Sequence, residues 1–260
     1  MEFSAVTALV GLLVGFFVGL TGVGGGVLLA PLLIALGVQP TVAVGTDMVY
    51  GTLTKLTATV RNVRAGRVDW RWVRALAAGS VPAGLAGSLV VHWLRSTHAD
   101  AEGVLLKALG AVLALAATMS LVGELLKYRG SLHNRFDWTP VDRRSFARVA
   151  TFGAVIGFIV GLTSVGSGSL IALLLVFGSK LAPRDLIGTD IAHATLLVTA
   201  ASLAHAGIGT VDWALAANLL CGSIPGVLLG SRLMDVAPAR PLKVGMCSLV
   251  WLAGAKMLLT

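Results

Sequence analysis

The chain says nearly the same thing twice, and that duplication constrains its fold more than any single motif. Gly15-Phe16-Phe17-Val18-Gly19-Leu20-Thr21-Gly22-Val23-Gly24-Gly25-Gly26 returns as Gly157-Phe158-Ile159-Val160-Gly161-Leu162-Thr163-Ser164-Val165-Gly166-Ser167-Gly168. Gly45-Thr46-Asp47 returns as Gly188-Thr189-Asp190, and Val68-Asp69-Trp70 as Val211-Asp212-Trp213. Gly79-Ser80-Val81-Pro82 returns as Gly222-Ser223-Ile224-Pro225. The copies lie 142 residues apart in the first block and 143 in the others, so one inserted residue near position 180 accounts for the register.

Hydrophobic residues make up 56% of the sequence and charged residues only 12%. A soluble domain carries about twice that share of charge. Lipid is the better solvent for such a chain, and a duplicated, glycine-interrupted, apolar sequence is the pattern of secondary transporters. The net charge of +8 does not indicate nucleic acid, because the basic residues sit in short loops between apolar segments rather than along one face. Cys221 and Cys247 both fall inside apolar segments and read as buried structural thiols. Neither a cofactor nor a metal site is expected. Residues 4–20 have no basic flank and read as a retained membrane segment rather than a signal peptide.

The apolar segments run roughly 4–36, 40–60, 72–94, 103–126, 147–178, 184–205, 213–234 and 240–259. Most match the ~20 residues that span a bilayer. The first and fifth are longer and are cut near their centres by the glycine-rich run, which suits two half-helices meeting at an unwound loop. The expectation is an all-α integral membrane protein with a first repeat over 1–126, a cytoplasmic loop over 127–146 and a second repeat over 147–260.

Loop charge favours inverted over parallel repeats. Arg61, Arg64, Arg67, Arg71 and Arg74 crowd one connection, whereas its counterpart near 205–212 has no Lys or Arg. The connection near 95–102 has Arg95 alone, and its counterpart near 232–243 has Arg232, Arg240 and Lys243. Equivalent loops therefore carry opposite bias, as inversion requires. The loops at 61–74, 127–148, 180–184 and 232–243 would face the cytoplasm.

The Gly-Leu-Thr-Gly-Val-Gly-Gly-Gly run, the later Gly-Thr-Asp and their second copies resemble the TauE/SafE family of sulfite and organosulfur-anion exporters. The resemblance extends from the first segment to about Met234. It implies a cell-membrane permease for small anions such as sulfite, sulfoacetate or related sulfonates. The second copy departs from the first: Ser164, Ser167 and Ser169 stand where Gly22, Gly25 and Val27 stand, so the two half-sites differ chemically.

Each helix break frees backbone N–H groups at the positive end of a half-helix, an anion site that needs no formal charge. Thr21, Gly22, Gly24, Gly25 and Gly26 would form one half, and Thr163, Ser164, Gly166, Ser167 and Gly168 the other. Close helix packing is the competing use for such glycines. Lys55 either snorkels toward Arg61 or lines the anion path. Asp47 and Asp190, placed near the first turns of their helices, read as helix caps or as proton-coupling and gating carboxylates. His193 could share a face with Asp190 in a proton relay or simply pack, and His205 lies further along that segment. Asp69-Trp70 and Asp212-Trp213 read as a cap followed by an interfacial anchor.

The leading expectation is a secondary carrier of a small sulfur-containing anion, with protons as the candidate coupling ion. The alternatives are a carrier for a different small anion, a membrane-embedded enzyme and an assembly partner. The partners implied are the anion and the lipid bilayer, with no nucleic acid. Direction and oligomeric state are not encoded.

Overall fold

A computed structural model describes residues 5–21, 26–97, 100–128, 138–140, 142–233 and 239–259. Among them the chain forms ten helices and no strand. They are α1 (Ala5–Thr21), α2 (Gly26–Ala35), α3 (Pro40–Arg64), α4 (Trp70–Thr97), α5 (Ala101–Tyr128), α6 (Arg143–Thr163), α7 (Ser169–Gly178), α8 (Pro183–Ile208), α9 (Trp213–Leu233) and α10 (Ala239–Leu259). Trp70–Thr97, Ala101–Gly123, Arg143–Thr163, Pro183–Ile208 and Trp213–Gly230 are long and apolar enough to cross a membrane. The outward faces carry large apolar side chains such as Leu89, Val155, Leu203 and Leu249, the surface that lipid requires. Cys221 is among the exposed residues and Cys247 is buried. The expectation of two buried thiols therefore fails at Cys221, which lies on a face of α9 that the bundle leaves uncovered.

Each long segment is two helices. α6 and α7 are separated by residues 164–168, and the equivalent gap between α1 and α2 falls on 22–25, outside the described residues. α7 doubles back beside α6. Trp138 donates its backbone N–H to the carbonyl of Gly178 at 2.8 Å, tying the end of α7 to the approach to α6. Ile171 and Leu175 pack with Trp72, Leu76 and Val149, all near the starts of α4 and α6. The same cluster is built at the other end of the duplication, where Leu29 and Leu33 of α2 pack with Val10, Val14, Leu215 and Leu219.

The two halves are interleaved. α1 lies along α9, and α6 along α4, so each half's first helix packs on the other half's fourth. Both pairs are parallel: Gly153, Gly157 and Gly161 meet Leu76, Ser80 and Gly84 in ascending order, and Gly11 and Gly15 meet Leu219 and Ser223. α3 and α8 run antiparallel. Thr46 meets Asp212, Thr52 meets Ser202, Thr59 meets Thr195, and Asp69 meets Thr189.

In lipid, helix association rests on close packing more than on the hydrophobic effect, which favours small residues at crossings. A side chain at Gly157 would run into the backbone of Ser80. Gly157→Leu is therefore expected to destabilise the bundle by about 1–3 kcal/mol or more. Gly207→Ala, with no neighbour within 4 Å of the added carbon, is the neutral control. Thermal melting followed by size-exclusion chromatography distinguishes the two.

Helix starts follow sequence signals. Pro40 and Pro183 open α3 and α8, a position where the missing N–H costs nothing. Asp69 and Asp212 accept from the amides of Arg71 and Leu215, capping α4 and α9. Helix also takes both ends of the 127–146 stretch, since α5 reaches Tyr128 and α6 starts at Arg143. Asp142 fixes that start by accepting from the Ser145 amide at 3.0 Å. The Ser145 bonds hold its carboxyl below the usual carboxylate range. A depressed folded-state value makes this contribution complete above the unfolded value and lost as pH falls through the folded one. Asp142→Ala is expected to lower the melting temperature at neutral pH, with a smaller difference in acid.

Candidate functional site

The repeated Gly-Thr-Asp and Val-Asp-Trp sequences are two sides of one contact, made twice. A side-chain carbon at Gly45 would lie 2.6 Å from the carbonyl of Thr210, and one at Gly188 would strike the carbonyl of Arg67. Thr46 Oγ1 accepts from the Asp212 amide at 3.1 Å, and Thr189 Oγ1 accepts from the Asp69 amide at 2.9 Å. Glycine permits the approach and threonine closes it. The third residue of each triplet is thereby fixed inside the bundle.

This corrects the reading of Asp47 and Asp190 as first-turn residues. α3 and α8 begin at Pro40 and Pro183, so each aspartate sits about two turns into its helix, away from any cap. Asp47 is fully buried and neither carboxylate oxygen has a hydrogen-bond partner. Asp190 is buried with Oδ1 unpartnered, and a side-chain carbon at Gly168 would stand 3.8 Å from its Oδ2.

Gly168 belongs to the break between α6 and α7. α6 ends on Ser164, which takes a left-handed conformation (φ 61°) and donates its N–H to Val160 at 2.7 Å. Thr163 Oγ1 donates to the Ile159 carbonyl at 2.8 Å and accepts from the Val165 amide at 3.3 Å. Gly166, at φ 99°, occupies backbone space that side chains disfavour. α7 then starts after Gly168, with the Leu170 amide donating back to Gly166 and the Ala172 amide to Gly168. Thr163, Ser164 and Ser167 are all buried.

Lys55 reaches this break from the other half of the chain. Its Nζ donates to Ser167 Oγ at 2.7 Å. The side chain thus turns into the bundle and not outward toward Arg61, so the snorkelling alternative does not describe it. Its ammonium acts electrostatically on both Asp47 and Asp190. One cation and two carboxylates face a loop of serines and glycines.

The break also meets a cavity of about 20 Å³, lined by Leu28, Ala116, Ala117, Ser120, Ser169, Met246, Cys247 and Val250. Leu28 and Ser169 come from the first turns of α2 and α7, so both half-helices begin at this spot. Ser169 Oγ is buried there without a partner. Sequence reasoning marked Ser169 as a departure from Val27 but gave it no role. Thr21, Gly22, Gly24, Gly25 and Gly26 carry no described side-chain surroundings; 22–25 lie outside the described residues altogether.

The histidines have separate partners. His193 Nε2 lies 2.7 Å from Ser80 Oγ, leaving Nδ1 buried and unpartnered, and no hydrogen bond joins it to Asp190. Ser80 was visible only as part of a repeated tetrapeptide. Its counterpart Ser223 is buried and acts on Tyr50, whose position matches His193, but no hydrogen bond joins the two hydroxyls. His205 donates from Nε2 to the Gly161 carbonyl at 3.1 Å and pairs through Nδ1 with Thr210 at 2.9 Å, which fixes the ring in a structural role. Among the described residues no group of three His, Cys, Asp or Glu is placed to hold a metal ion.

Comparison with known proteins fits this membrane architecture. The chain matches the family described as Sulfite exporter TauE/SafE over residues 7–257. It is 45% identical over 250 residues to the probable membrane transporter protein YjnA of Bacillus subtilis, covering 96% of this chain and 98% of that one. It is 27% identical to a probable membrane transporter protein of Xylella fastidiosa, over 85% of this chain and 81% of the other. A shorter similarity, 30% over 63% of this chain and 56% of the relative, is to undecaprenyl-diphosphatase 2 of Chromobacterium violaceum. No solved structure matches it.

Proposed function

Because the chain belongs to the TauE/SafE family of multi-pass membrane transporters, we propose that it is a secondary carrier of small sulfur-containing anions such as sulfite or sulfoacetate. The observation that carries this reading is the Lys55–Ser167 hydrogen bond, which holds a half-buried cation against the start of a half-helix. Partial positive charge at the start of α7, hydroxyls of Ser164, Ser167 and Ser169, and the Lys55 ammonium together suit the oxygens of a sulfite or sulfonate group. The anion would lie between the two helix breaks, with Thr21 to Gly26 completing the site from the first half.

The same reading takes the repeats as inverted, with α2 and α7 as re-entrant half-helices, and alternating access as a rocking of one half against the other. It is supported by the antiparallel α3–α8 pair and by charge. Among the described basic residues, apart from Lys55, only Arg95, Lys107 and Lys256 fall away from the end at which α3, α5, α7 and α9 finish. The basic connections at that end, 61–74, 127–148, 180–184 and 232–243, are then cytoplasmic.

Thermal stability of the purified protein across an anion panel tests the substrate class. A ligand present at a hundred times its dissociation constant stabilises by about 2.7 kcal/mol. Sulfite, sulfoacetate or thiosulfate is expected to raise the melting temperature while chloride and acetate do not. Stabilisation by a non-sulfur anion alone would point to a carrier for that anion. The diphosphatase relative favours one further reading, a membrane-embedded hydrolase. Release of phosphate from a polyprenyl diphosphate by the purified chain would establish that reading instead.

A further inference from the structure

The buried charges do not balance, and the imbalance bears on how an anion could enter. Lys55 is the basic side chain that acts electrostatically on both Asp47 and Asp190, from its place on Ser167 and without an ion pair to either within 4 Å. Among the described residues packed around them there is no second Lys or Arg. From α3 comes Tyr50, from α8 the rings of His193 and His205, from α4 and α9 Ser80 and Ser223, and from the α6–α7 break Ser164 and Ser167. Glu102, the acid that α5 brings toward α3, is occupied at the far end in accepting from Thr41. His205 is engaged with the Gly161 carbonyl and Thr210, and His193 with Ser80. With both carboxylates ionised the cluster is negative. Both Asp47 oxygens and one Asp190 oxygen then make no hydrogen bond in a buried place, with the Ser164 hydroxyl the donor that acts on Asp47, and burial disfavours an uncompensated charge there.

Resting on the carrier reading above, we propose that Asp47 and Asp190 share one proton in the anion-free protein and take a second with each monovalent anion. The steps balance. In the empty site one carboxylate is the acid, the other neutralises Lys55, and the cluster has no net charge. An incoming hydrogensulfite takes over the neutralisation of Lys55 from that carboxylate, which then takes the proton that enters with the anion. The occupied site is neutral again. Anion and proton therefore cross together, and the translocation step moves no net charge. The reading also explains why one lysine suffices when the second half has Val198 at the matching position.

Two measurements test this in the full-length protein. Infrared difference spectra between wild type, Asp47→Asn and Asp190→Asn, without substrate, are expected to show one protonated carboxylic acid near neutral pH, altered in either variant and retained in Asp47→Glu. Absence of that band overturns the shared proton whatever the substrate is. In proteoliposomes carrying an internal pH dye, labelled sulfite should accumulate about tenfold per unit of imposed pH gradient, with one proton per anion and no response to a potassium diffusion potential. The two Asn variants should lose this accumulation about tenfold, any residual uptake being proton-free. Uptake driven by the potential without proton movement overturns the coupling. If the band is present but no sulfur anion moves, the carrier reading fails while the shared proton stands.

Discussion

Lys55→Met is expected to weaken anion binding by about tenfold to a hundredfold, the value of one hydrogen bond to a charged group. The protein should still insert and elute as a single species, because the Gly-Thr-Asp contacts that position α3 against α8 do not involve Lys55. Lys55→Arg keeps the charge but not the compact three-donor head, and should recover part of the affinity. Titration by the anion-induced shift in melting temperature reads both variants. Unchanged affinity in a folded Lys55→Met protein would return this side chain to a packing role.

Gly168→Val should have a comparable or larger effect on binding. The first added carbon meets only Asp190 Oδ2, at an ordinary 3.8 Å, so Gly168→Ala fits the space. The branched methyls of valine would cover the first amides of α7 and crowd the Asp190 carboxylate, blocking the backbone donors an anion needs. Binding is expected to fall by at least about tenfold, roughly the loss of a charge-assisted hydrogen bond, and the alanine variant should stay close to wild type. Normal transport by the valine variant would sink the backbone-site idea. Gly25→Val is the matching change in the first half, at a position outside the described residues.

The helical membrane character and the family were legible because both rest on patterns spread over the chain: apolar segments of spanning length, and motifs that recur in order. What the repeats meant to each other was not. Gly45-Thr46 and Val211-Asp212 are about 165 residues apart in a chain whose copies are offset by 142 or 143, so nothing local signals that one docks on the other. The same gap explains the misplacement of Asp47 and Asp190. Glycine and threonine read as helix punctuation, yet here the glycine serves a backbone approach from the other half, and the helix has already begun at a proline.

Lys55 was the clearest ambiguity. Its neighbour in sequence is the Arg61–Arg74 basic run, which made snorkelling attractive; its neighbour in space is Ser167, 112 positions away. His193 shows the opposite lesson. Helical spacing puts it three residues beyond Asp190 in α8, but spacing ranks neighbours only within one helix, and Ser80 on α4 takes the ring nitrogen. Cys221 and Cys247 were indistinguishable because both lie in segments apolar on every side, where periodicity does not separate a lipid-facing residue from a core one.

The most direct test of the central claim is uptake of labelled sulfite into proteoliposomes containing the purified protein, competed by unlabelled sulfoacetate, thiosulfate and sulfate. The anion-carrier account predicts saturable uptake that empty liposomes lack, reduced by at least one organosulfur competitor and shifted to higher sulfite concentration in Lys55→Met. Protein shown to be folded that moves none of these anions would contradict it.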